Sequence, residues 1–218
     1  MILSMLKDKV TNLKSLILTL MVVIVVATTV VPMNVQAEET TEVESEAKDD
    51  YTLEGWLSTC QKVGRDLTKY HFRYGSKCLK SLDSAISRKR RCNCAAYVSW
   101  CMQEYGILNK GQVIWSKHGR VSKRYSSMSG KVKFININRR PTQARLQAGD
   151  IVCWKSITHM CIYAGRNSEG KMMWLDGGSM GLRDGRRKRR YYCSADRMKV
   201  CSYLNKFKMG YIIRIKGL

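Results

Sequence analysis

Acidic side chains are scarce over most of this chain. Residues 56–218 hold 8 Asp and Glu against 35 Lys and Arg, a formal charge of +27. Residues 38–55 run the other way, at −7. So basic a body lacks the carboxylates to neutralise itself and is expected to be drawn to a polyanion. Aromatic residues make up only 9% of the chain, which gives no sign of an aromatic-lined carbohydrate groove. No internal repeat is apparent, so an array is not expected. Large apolar groups are almost missing from 38–55, and such a segment cannot bury enough surface to order itself.

What is present fits one domain with a real core: 218 residues, 44% hydrophobic. Residues 1–37 read as a secretory signal peptide. Lys7, Lys9 and Lys14 make a basic start, Ser15 to Val31 is apolar, and Val35-Gln36-Ala37 is a small-residue cleavage site before Glu38. An uncleaved membrane anchor is the alternative. Residues 38–55 read as an acidic disordered linker and 56–218 as the domain. The expected protein is secreted and monomeric, with no cofactor and no membrane contact beyond the signal segment. Two basic clusters stand out: Arg88, Lys89, Arg90 and Arg91, then Arg186, Arg187, Lys188, Arg189 and Arg190. Outside a bacterial cell their expected partners are anionic wall polymers. Nucleic acid is the rival, disfavoured by the signal peptide.

The stretch RCNCAAYVSWCMQEYG, residues 91–106, reads as a helix opening at a cysteine. Asn93 is a good N-cap, Cys94 takes the first helical position, and Gly106 stops the helix. Cys94, Val98, Cys101, Met102 and Tyr105 share one apolar face. A helix N-terminus carries partial positive charge and open N–H groups, which favour a thiolate and can hold an oxyanion. The bland alternative is a small buried helix residue.

Residues 52–70 read as an amphipathic helix broken at Gly75, and 107–130 as loop with short elements. Strands are expected at 131–136, 151–154, 157–164, 171–175 and 211–215. If Gly165 to Gly170 form the loop of a hairpin, Ala164 faces Lys171 and His159 lies directly opposite Asp176. Directly opposed residues have Cβ atoms roughly 4.5–5.5 Å apart. Asp176 would then orient the imidazole and leave its other nitrogen free to take a proton. A one-residue slip would part the two. Cysteine, histidine and carboxylate together make an arrangement for nucleophilic attack on a carbonyl.

NCAAYVSWCMQEYGI, LQAGDIVCWKSITHMCIYAG and MMWLDGG together resemble the NlpC-type cysteine peptidases of bacterial cell walls and the related CHAP group (cysteine, histidine-dependent amidohydrolase/peptidase). The resemblance spans roughly residues 70–178. It implies an α+β, papain-like fold, with a helix bearing the nucleophile packed on an antiparallel sheet. It also implies cleavage of amide bonds in peptidoglycan, with Cys94 as nucleophile, His159 as base, Asp176 as orienting residue and the Cys94 N–H in the oxyanion hole. The family usually has Asp before the cysteine and Ser-Gly after it; here Asn93 precedes and Ala95-Ala96 follow. Phe72 stands near where many members carry a tyrosine, with Tyr74 close by. A catalytically inactive wall- or polyanion-binding module, or a related acyl transferase, remain alternatives.

Nine cysteines allow four disulfides and one free thiol. Cys101, Cys153 and Cys161 instead read as core residues; Cys193 and Cys201, close together on either side of SADRMKV, are the first candidates for a bridge. A metal reading through Cys92, Cys94, His159 and Cys161 does not have a usual zinc spacing.

Overall fold

The computed structural model describes residues 51–117, 119–178 and 195–218. The signal segment, most of the acidic segment, the cluster Arg186 to Arg190 and Cys193 lie outside the described residues.

Helix α1, Leu53–Lys69, starts three residues inside the expected linker. The start is set by Thr52, whose hydroxyl accepts the Gly55 N–H at 3.1 Å. Trp56, Cys60, Val63 and Leu67 are buried along one face, as the spacing requires. The helix ends before Gly75. His71 takes the left-handed backbone (φ 53°) and the Phe72 N–H closes on the Leu67 carbonyl at 2.9 Å. Strand β1, Arg73–Tyr74, follows. Helix α2, Leu82–Ser87, is capped by Ser81 and was not anticipated. Strand β2, Arg91–Cys92, then pairs in parallel with β1.

Helix α3, Cys94–Glu104, has Asn93 as its N-cap and ends at Gly106 (φ 78°). It is not apolar on one face only. Every residue from Ala96 to Gln103 is buried, because neighbours enclose the helix. On the α1 side, the Tyr97 hydroxyl donates to the Cys60 carbonyl at 3.0 Å. Residues 107–117 and 119–128, with Lys80, close the remaining side. There the Ile114 N–H donates to Ser99 Oγ at 3.0 Å, and Gln103 Nε2 donates to the carbonyls of Lys80 and Gln112 at 2.8 and 2.7 Å. The two buried polar residues of the helix therefore have partners, without which burial would be costly.

The remaining strands are β3 (Ser116–Lys117), β4 (Arg120–Val121), β5 (Val132–Asn136), β6 (Ile151–Trp154), β7 (Met160–Arg166), β8 (Met172–Leu175), β9 (Lys199–Val200) and β10 (Met209–Ile215). β3 and β4 form a small hairpin. The other six make an antiparallel sheet in the order β5-β10-β6-β7-β8-β9. The fold is thus α+β. β10 inserts between β5 and β6, away from the sheet's edges.

Both faces of the sheet are covered. Ile151, Cys153, Met160, Ile162, Leu175 and Ile213 join the core that includes α1 and α3. Val152, Trp154, Cys161, Tyr163, Met172 and Trp174 join a second core with Leu204 and Met209. This is why Ile-Val-Cys-Trp of β6 is apolar at every position: alternate side chains enter different cores. Fully burying such side chains contributes roughly 1.5–3 kcal/mol each relative to exposure. Asp150, which follows Gly149 (φ 94°) in the turn before β6, is buried and accepts two 2.8 Å hydrogen bonds from Arg214 of β10. It fastens the start of β6 to its neighbour.

Candidate active site

The approach to Cys94 is held on both sides. Upstream, β2 is locked to β1, with Tyr74 paired to Cys92, and the Cys92 thiol donates to the Asn93 carbonyl at 3.3 Å. Downstream, Asn93 Oδ1 accepts the Ala96 N–H at 2.9 Å and the Asn93 carbonyl accepts the Tyr97 N–H at 3.0 Å. The first turn of a helix leaves its leading N–H groups without intrahelical acceptors. Those of Cys94 and Ala95 are the ones the cap does not use. The Cys94 side chain is 8% exposed.

His159 sits in the tight connection between β6 and β7. Its N–H donates to the Ile157 carbonyl at 2.9 Å and its carbonyl accepts the Trp154 N–H at 3.1 Å. The ring lies against the Trp154 indole, centroids 5.6 Å apart and tilted by 41°. Asp176 follows β8. Its Oδ1 accepts the Gly178 N–H at 2.7 Å, and its Oδ2 lies 3.2 Å from His159 Nε2. These last two atoms are buried and have no aligned hydrogen-bond partner. They face each other as an ion pair, and Coulomb attraction offsets the cost of burying both.

The expected register of this hairpin needs correction. Ile162 pairs with Leu175 and Tyr163 with Trp174, which sets Cys161, not His159, across from Asp176. Nearer the turn, Gly165 pairs with Met173 and Arg166 with Met172. The turn is also shorter than expected, closed by hydrogen bonds between Asn167 and both Gly170 and Lys171. The outer pairing is therefore three residues away from the expected one, which would send the two groups to opposite faces. An extra residue on β7, between Tyr163 and Gly165, reduces the offset to two. Gly165 supplies the left-handed backbone there (φ 95°). An offset of two keeps the face, so His159 and Asp176 meet diagonally.

The electrostatics follow from the geometry. Burial works against the charged imidazolium of His159. The charge of the Asp176 carboxylate, aided by the Cys161 and Cys94 thiols beside the ring, outweighs burial and holds the imidazole well above its ordinary range. Cys94 is thus within interacting reach of the ring. Burial pushes the Cys153 thiol up to about 12 and raises Cys161 further. Neither neighbour is a nucleophile at neutral pH.

Cys94, His159 and Asp176 are therefore brought together. Arg88, Lys89, Arg90 and Arg91 lie on the segment entering β2, and Arg73 of β1 joins them. Phe72 is fully buried against Trp100, centroids 5.8 Å apart, whereas Tyr74 is exposed. Cys60, Cys94, Cys101, Cys153, Cys161 and Cys201 are free thiols, so the structure does not show the expected Cys193–Cys201 bridge. Two contributors escaped sequence reasoning. Trp154 looked like one more apolar strand residue. Gly178 looked like half of a turn signal; a Cβ there would sit 3.0 Å from Asp176 Oδ1 and 3.1 Å from His159 Cε1. Compared with known protein families, curated proteins and solved structures, the chain has no match.

Proposed function

We propose that the protein is a secreted cysteine hydrolase that cleaves peptide or amide bonds in bacterial peptidoglycan, on a papain-like arrangement of helix and sheet. One observation carries the reading. A cysteine at a capped helix N-terminus lies within reach of a buried imidazole whose Nε2 is 3.2 Å from a buried carboxylate. The motif resemblance to NlpC-type and CHAP enzymes supports the substrate class.

In this mechanism the Cys94 sulfur, its proton held by His159, attacks the amide carbonyl. The carbonyl oxygen gains charge beside the Cys94 and Ala95 N–H groups. Breaking the C–N bond leaves a thioester, and His159 gives its proton to the departing amine. Water, deprotonated by His159, then attacks the thioester, releasing the carboxylic acid and restoring Cys94. Asp176 keeps Nε2 occupied, so that the other ring nitrogen serves the sulfur.

The test is digestion of purified peptidoglycan by the protein and by Cys94→Ala, with mass spectrometry of the soluble fragments. Fragments released by the native protein alone are expected, and their masses name the bond. Equal release, or none from either, refutes the proposal.

A further inference from the structure

The described basic residues are not spread evenly. Arg73, Arg88, Lys89, Arg90 and Arg91 line one cleft of about 590 Å³. Its walls come from the parallel pairing of β1 and β2, which sets Arg73 across from Arg91. The Arg73 N–H donates to the Arg90 carbonyl at 3.0 Å. Like charges directly opposed on paired strands are destabilising. Among the described residues none of the five cations pairs with a carboxylate; the nearest acid in sequence, Asp83, is held by Lys110 at 2.8 Å. No described residue neutralises the crowding.

We infer that this cleft binds a linear polyol phosphate, a phosphodiester polymer of repeating negative charge, and lays it beside the entrance to Cys94. Four of the five cations are arginines, whose planar forks take phosphate oxygens two at a time. Arg88 to Arg91 follow one another along the chain from the end of α2 into β2, turning where the Arg91 N–H closes on the Lys89 carbonyl at 2.8 Å. Five cations along one cleft match a polymer of repeating charge better than a single small anion. Nucleic acid is a poorer fit, because no Phe, Tyr or Trp is among the residues lining the cleft. Arg91 is three residues ahead of Cys94, so a polymer seated here borders the candidate active site. The binding does not depend on the chemistry proposed for Cys94.

The test uses the full chain carrying Cys94→Ala, so that cleavage plays no part, and labelled poly(glycerol phosphate) as the probe. Affinity is measured between about 50 and 200 mM salt. Arg73→Gln/Arg88→Gln/Arg90→Gln should weaken binding about 10-fold or more and lower the slope of log affinity against log salt by roughly 2, near 0.7 per lost contact. All three side chains are exposed, and unchanged circular dichroism verifies the fold. Arg140→Gln/Lys155→Gln/Lys208→Gln removes equal charge from a second cleft of about 470 Å³ and should cost far less. Equal losses in the two triple variants would reduce the effect to bulk charge and overturn the inference. So would single-stranded DNA or polyglutamate of matched charge binding as tightly as the polyol phosphate.

Discussion

Replacing Asp176 with Asn removes the charge facing His159 while keeping the shape and the acceptor for Gly178. At 3.2 Å and an effective dielectric constant of about 20, the lost attraction is about 5 kcal/mol. Burial of the imidazolium opposes it, so a net loss of about 3 kcal/mol is expected where the ring is charged, in the usual range for breaking a buried pair. For a domain of this size that lowers the melting temperature by about 6–12 °C. The loss has a definite pH dependence. His159 has its folded-state value raised above the unfolded one. Its stabilisation is complete below about pH 6.5 and disappears as pH rises through the raised folded value. In Asp176→Asn the burial penalty stands unopposed, so the native state resists protonation and the variant weakens further as pH falls. Thermal unfolding of both proteins from about pH 6 to pH 10 should show a gap that is widest at the acid end and narrows toward the alkaline end. The imidazole resonance of His159, assigned with His159→Gln, should titrate above the ordinary histidine range in the native protein and move down in the variant. A gap of constant size, or a His159 titration indifferent to Asp176, would refute the pairing and the mechanism built on it.

Asn93→Ala deletes the cap on the Ala96 N–H at 2.9 Å and should cost about 1 kcal/mol, read as a lower urea midpoint at constant m-value; a midpoint that does not move would mean the cap contributes nothing. Gly177→Ala would place a Cβ 2.2 Å from Tyr97 Cβ, so the turn carrying Asp176 must move off α3. Overpacking of about 1–3 kcal/mol is expected, with peptidoglycan release falling more than the folded fraction. Activity that simply tracks folded protein would show that the turn's position does not matter.

The Cys94 helix was legible because it is written in local chemistry. An N-cap, a stop glycine and apolar spacing are decided within a dozen residues. The strands at 151–154 and 211–215 were legible for the same reason. What eluded the sequence was set by distant partners. The insertion of β10 between β5 and β6 leaves no periodic trace. Nor does the encirclement of α3, which buries Ser99 and Gln103 although only Cys94, Val98, Cys101, Met102 and Tyr105 mark an apolar face. Asp150 reads as a turn residue unless Arg214, 64 positions on, is known to reach it. The meeting of His159 and Asp176 was read through the wrong pairing, and only the parity of the offset survived.

That parity traces to the single extra residue on β7. Seen from the candidate site, the hairpin works in two frames, and the bulge is where one is translated into the other. The segment beyond it answers to the Asn167–Gly170 turn, the segment before it to the sheet. Changes of turn length can thus be absorbed on the outer side without reassigning the faces on which acid and base stand. Were the outer register to run inward unbroken, with the extra residue paired instead of bulged, Asp176 would lie across from Ile162 and the carboxylate would pass to the opposite layer of the molecule. The alignment of the two groups is therefore a property of one insertion in the strand, and neither residue carries it in its own identity.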